Sequence, residues 1–108
     1  MIDKLKNIKM GLREDYDFEN RRVGFNTVVY EDIKYDVSTI DLGLDHGIWG
    51  EERGVYWETM IFTDNESLDQ QMIRYISREE AKVNHNRIVE ALKIGDFKSV
   101  RKSLDLEE

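Results

Sequence analysis

Between Arg21 and Thr63 the chain alternates side chains with a period of two, and beyond Ser77 the period becomes that of a helix. In the first stretch Val23, Phe25, Thr27 and Val29 alternate with Gly24, Asn26 and Val28, which predicts a strand. Glu31-Asp32-Ile33-Lys34 is read as the tip of a hairpin. A second strand is expected over Tyr35 to Leu44, with Ser38, Ile40, Leu42 and Leu44 on one face. The third runs from Val55 to Thr63, with Val55, Trp57 and Ile61 pointing one way and Tyr56, Met60 and Phe62 the other. Apolar residues on both sides imply that both faces are covered. A helix covers one; the N-terminal helix, the C-terminal tail or a second subunit is expected on the other. After the polar turn Asp64-Asn65-Glu66-Ser67, the stretch Leu68 to Ile76 is open to a strand or a ragged helix, and a short strand around Met72 to Ile76 is preferred.

Ser77-Arg78-Glu79-Glu80 is a capping box: a Ser and a Glu three residues on bond the free N–H groups at a helix start. The helix should run to Ile94 and close at Gly95. Its buried stripe is Ala81, His85, Ile88 and Leu92, flanked by Asn84 and Ala91, and Asp96 caps a last short helix carrying Phe97, Val100 and Leu104. At the other end Ile2, Leu5, Ile8 and Leu12 fit one stripe of a short helix, followed by a connector in which Tyr16 and Phe18 pack locally. The pattern predicts an α+β fold, an antiparallel meander of three to four strands with one long helix on a face and short terminal helices. One domain is expected over 1–108, divided into helix and connector (1–20), meander (21–63), main helix (77–94) and tail (96–108).

Composition agrees with that size. A chain of 108 residues is ordinary for one domain, and 40 % hydrophobic with 10 % aromatic residues suffices for a core under a surface made ionic by 36 % charged residues. The absence of cysteine excludes disulfides, thiolate chemistry and Cys-based metal centres. A formal net charge of -7 argues against nucleic-acid binding and favours a basic partner surface, although Arg13, Arg21 and Arg22 leave room for a local positive patch. No apolar run nears the roughly 20 residues that span a bilayer, and Met1-Ile2-Asp3-Lys4 is charged where a signal peptide is apolar, so a soluble cytoplasmic protein is expected. With no proline, glycine and Asx residues must mark the turns. Gly43, Gly47, Gly50 and Gly54 make 46–53 a glycine-rich loop around Ile48 and Trp49.

Candidate chemistry gathers at the strand ends. Asp45 and His46 stand where the second strand should stop, next to the glycine-rich loop, where an acid and a base can meet a ligand or simply cap a turn. Glu58 lies inside an apolar strand, where an unpartnered charge is costly. His85 lies on the apolar helix stripe, where it is either a core histidine with a satisfied ring or the partner of Glu58. No catalytic residue is assigned; Asp45, His46, Glu58 and His85 are the candidates. The two histidines have no metal-ligand spacing, and no metal or cofactor is assigned. No nucleophile elbow or phosphate loop is present. Trp49, Tyr56 and Trp57 offer faces for a base or sugar, although strand aromatics more often serve the core.

Val37-Ser38-Thr39-Ile40-Asp41-Leu42-Gly43-Leu44-Asp45-His46, Glu58-Thr59-Met60-Ile61-Phe62, Arg74-Tyr75-Ile76-Ser77, Glu80-Ala81 and His85 together resemble a group of small bacteriophage and prophage proteins of unassigned activity. The likeness runs from about Arg22 to Val89. It implies a phage setting in a host cytoplasm and marks Asp45, His46, Glu58, Arg74, Tyr75 and His85 as motif positions. The long charged N-terminal segment and the C-terminal tail depart from it.

The leading expectation is therefore a non-enzymatic binding protein, an inhibitor of a host or defence component or a sequestering protein for a nucleotide-like ligand. Its ligand-binding candidates are Asp45, His46, Trp49, Arg74 and Tyr75. The partner is expected to be a host or phage protein, or that small ligand. A small hydrolase using the Asp45, His46, Glu58 and His85 set is the first alternative. An assembly protein that forms a homo-oligomer through a two-faced sheet is the second.

Overall fold

A computed structural model describes residues 16–43 and 57–106. A 3-10 turn, Phe18–Asn20, leads into strands β1 (Arg22–Tyr30), β2 (Ile33–Asp41), β3 (Trp57–Thr63) and β4 (Met72–Tyr75), then helices α1 (Arg78–Lys93) and α2 (Phe97–Ser103). The strands form an antiparallel sheet in the order β1-β2-β3-β4, with α1 packed across one face against all four. The α+β meander expected from the sequence is present.

Local chemistry accounts for each boundary. The β1–β2 hairpin closes on two residues, Glu31 (φ 50°) and Asp32 (φ 70°), both left-handed as a type I′ turn requires. Ile33 and Lys34 belong to β2 rather than to the tip. That strand ends at Asp41, short of the expected Leu44, and Asp41 Oδ1 accepts the Gly43 N–H at 2.7 Å to turn the chain. The Ser77 side chain accepts the Glu80 N–H at 3.2 Å and starts α1. Gly95, at φ 73°, lets the chain leave that helix. Asp96 caps α2 by accepting the Ser99 N–H at 3.1 Å. Tyr16 and Phe18 pack edge to face, as the connector reading predicted.

The core lies between α1, α2 and the inner face of the sheet: Val28, Tyr35, Val37 and Ile61 meet Ile88, Val89, Leu92, Val100 and Leu104. Leu68, in the β3–β4 connection, is also buried there. The face shared by Ser38 and Ile40 turns out to be the outer one; Tyr35, Val37 and Thr39 carry the buried parity of β2. Among the described residues the helices cover one face, and Phe25, Val29 and Phe62 stand exposed on the other. No helix of the described residues is long and apolar enough to cross a membrane.

Candidate functional site

Of the residues singled out from sequence, Asp45, His46 and Trp49 lie outside the described residues, as do the N-terminal helix and the glycine-rich loop. Glu58 faces outward. It is the cross-strand partner of Arg74, and Arg74 Nε donates to Glu58 Oε2 at 3.0 Å. The pair expected between Glu58 and His85 does not form, because the alternation of β3 sends Glu58 to the face opposite α1. Arg74 and Tyr75, neighbours in β4, are likewise divided between the two faces: Arg74 joins Glu58 outside and Tyr75 is buried inside.

Between α1 and the inner face runs a chain of polar side chains that touches every strand. His85 Nε2 lies 2.8 Å from Asn26 Oδ1 on β1, and Nδ1 lies 2.7 Å from Thr39 Oγ1 on β2. Thr39 and Thr59 of β3 meet hydroxyl to hydroxyl at 2.5 Å, Tyr75 of β4 donates to Thr59 at 3.2 Å, and Asn84 Nδ2 donates to Tyr75 at 2.6 Å and to the Ser103 carbonyl at 2.8 Å. Both ends of the chain return to adjacent residues of α1.

Strand pairing places these groups. Thr39 and Thr59 are register partners. Ile61 bonds through its backbone toward the β4 side, to Gln71 O and Gln70 N. By alternation Thr59 does the same, so Thr39 and Thr59 form a non-hydrogen-bonded pair, the kind whose side chains stand closest. Gly24 is the register partner of Thr39 on the other side, and an ideal Cβ there would come within 3.0 Å of His85 Nε2. The glycine therefore leaves room for the imidazole.

Proton positions follow from one fixed point. A backbone carbonyl can only accept, so Asn84 must turn its amide nitrogen to Ser103, and its second N–H reaches Tyr75. Tyr75 then gives its proton to Thr59, Thr59 to Thr39, and Thr39 to His85 Nδ1. That leaves His85 neutral with its proton on Nε2, donated to Asn26. Each hydroxyl gives one bond and takes one. Burial pushes the His85 pKa below its ordinary value, in agreement with a neutral ring. Burial also raises the Tyr75 phenol, with the nearby Glu80 charge adding to it against the bond to Thr59 and the bond from Asn84. Protonating His85 would place a hydrogen on Nδ1 and leave one hydroxyl proton of the row without an acceptor in the chain.

Both imidazole nitrogens are engaged, and no described carboxylate reaches the ring. Among the described residues no three His, Asp or Glu side chains form a metal-holding group. Asn26, Thr39 and Thr59 were not site candidates from sequence, and Asn84 was read only as a flank of the buried helix stripe. The available signal was polarity at inward parity, Thr39 in register with Tyr35 and Val37, and Thr59 with Ile61.

At its Asn84 end the chain reaches a cleft of about 870 Å³ between β4, α1 and α2, lined by Tyr75 and Asn84 and by charges of both signs, among them Arg87, Lys102 and Glu80. No family model, curated protein or solved structure matches this chain.

Proposed function

We propose that this chain is a non-enzymatic binding protein, phage-encoded and directed at a host or phage protein, such as a component of host defence. One observation carries the reading. Of the acid–base candidates Asp45, His46, Glu58 and His85, the two among the described residues, Glu58 and His85, face opposite sides of the sheet, Glu58 held by Arg74 and His85 by Thr39 and Asn26. General acid–base catalysis requires both groups within hydrogen-bond reach of one substrate. The phage setting rests on the motif resemblance, and the net charge of -7 favours a partner with a basic surface.

The test is turnover. Purified chain is incubated with nucleotides, phosphomonoesters, phosphodiesters and carboxyl esters, alongside Glu58→Gln, His85→Gln and His46→Ala variants. The binding reading expects product at the buffer rate in every case. Product that the wild-type chain forms and any of these variants loses overturns it.

A further inference from the structure

We infer that the free edge of β4 and the cleft beside it receive an extended peptide segment of a partner protein, added as a fifth antiparallel strand. The inference rests on the binding-protein reading and gives it a place and a mode.

β4 is an end strand, and among the described residues nothing pairs with its second edge. Ladder alternation says which backbone groups are open there. Ile61 bonds to Gln71 O across β3–β4, so with the register Thr59↔Ile73 and Trp57↔Tyr75, the backbone groups of Ile73 and Tyr75 turn toward β3. Those of Met72 and Arg74 point outward. An unpaired row of N–H and C=O groups is a template for another strand.

The surroundings favour a peptide over a small molecule. The cleft opens along this edge, with Ile73, Arg74 and Tyr75 on one wall, and helix residues opposite. Asn84, 8 % exposed, lines it. Its nitrogen is used by Tyr75 and Ser103, whereas its carbonyl Oδ1 has no hydrogen-bond partner among the described residues. Oδ1 thus remains able to accept a backbone N–H entering the cleft. Ile76 and Val83 are exposed apolar side chains near the edge and the cleft wall, suited to side chains of the incoming strand. Arg87 and Lys102 against Glu79, Glu80 and Asp105 give that strand a charge pattern to match. β4 itself carries no proline and no bulge against such pairing.

A random heptapeptide library selected on the intact chain supplies the probe, and amide exchange with binding isotherms supplies the readout. The inference expects enriched peptides that slow exchange of the Arg74 amide, which exchanges freely in the unbound chain. Met72→Pro removes one outward N–H at the first position of an edge strand, where proline is tolerated, and should weaken those peptides at least tenfold. Met72→Ala keeps that N–H and should stay within about threefold, the separation expected when a backbone bond rather than a side chain is lost. Failure to enrich any peptide overturns the inference, as does equal affinity in both variants. So does an Arg74 amide already protected in a self-associated chain, which would make a second copy the occupant. Should Met72→Pro fail to fold, the Arg74 exchange result in the wild-type chain decides alone. The failures are separable: substrate turnover would sink the binding reading, whereas an unresponsive β4 edge would sink only this site.

Discussion

Replacing Thr59 by valine removes one oxygen from the middle of the polar chain and changes little else, since the two side chains have nearly the same shape. Thr59 is fully buried, accepts from Tyr75 and donates to Thr39. Its loss strands the Tyr75 hydroxyl proton and deprives Thr39 of one donor, while Thr39 still donates to His85. A buried polar group left unmade costs about 1–3 kcal/mol, and Tyr75 should approach the upper end because nothing else described accepts its proton. With a smaller contribution from Thr39 the total comes to about 2–4 kcal/mol. Against a typical domain stability of about 5–15 kcal/mol that is a large fraction. Urea unfolding followed by far-UV circular dichroism reads it as a lower midpoint at unchanged slope. Adding Tyr75→Phe deletes the stranded hydroxyl, so the double variant should lose less than the sum of the singles by at least about 1 kcal/mol. A Thr59→Val loss under about 1 kcal/mol, or strict additivity, would refute the idea that the chain is continuous.

Four further outcomes follow from the same contacts. Because burial lowers the folded-state pKa of His85 from 6.5, the unfolded chain binds more protons just below that pH; this share of stability is present above about pH 6.5 and declines as pH falls toward the folded value. Urea midpoints at several pH values between about 7.5 and 5.5 should show that decline in the wild type and a flatter course in His85→Asn. Gly24→Ala places a methyl group 3.0 Å from His85 Nε2 and should cost about 1–3 kcal/mol in the same assay, with the His85 ring resonances displaced. Ser77→Ala removes the acceptor of the Glu80 N–H and should cost about 1 kcal/mol with no change in slope. Glu31→Asn combined with Asp32→Gly gives the left-handed hairpin the residues it favours and should raise stability by about 1 kcal/mol, read as a higher melting temperature.

Elements with local signals were legible in the sequence. The Ser77 to Glu80 cap, the Gly95 stop and the Asp96 cap are set by neighbours a few residues apart, and the buried stripe of α1 follows from its period; Val89 was its missing member. The short strand at Met72 was also foreseen. Long-range facts were not. Whether Glu58 or Thr59 faces α1 depends on where the helix lands, and Val55 to Phe62 offers apolar side chains on both parities, so the pattern could not choose a face. A carboxylate beside a histidine on paper suggested an ion pair; in space the outward Arg74, sixteen residues on and directly across the ladder, reaches Glu58 instead. Threonine suits an exposed strand face and a buried hydroxyl row equally well, and only the register of Thr39 with Thr59 reveals the latter. Asn26 looked like one polar residue of an alternating strand, and its role appears once α1 sets His85 above Gly24.

The central claim is that His85 is a structural lock with a fixed proton and not a catalytic base, and nitrogen-15 spectroscopy of its imidazole tests it most directly. In a His46→Gln chain, which leaves a single histidine, the ring at pH 7 should be neutral, with its proton on Nε2 and an unprotonated, hydrogen-bonded Nδ1, and should titrate with a midpoint below 6.5. An imidazolium at pH 7, or a neutral ring with its proton on Nδ1, would contradict the account.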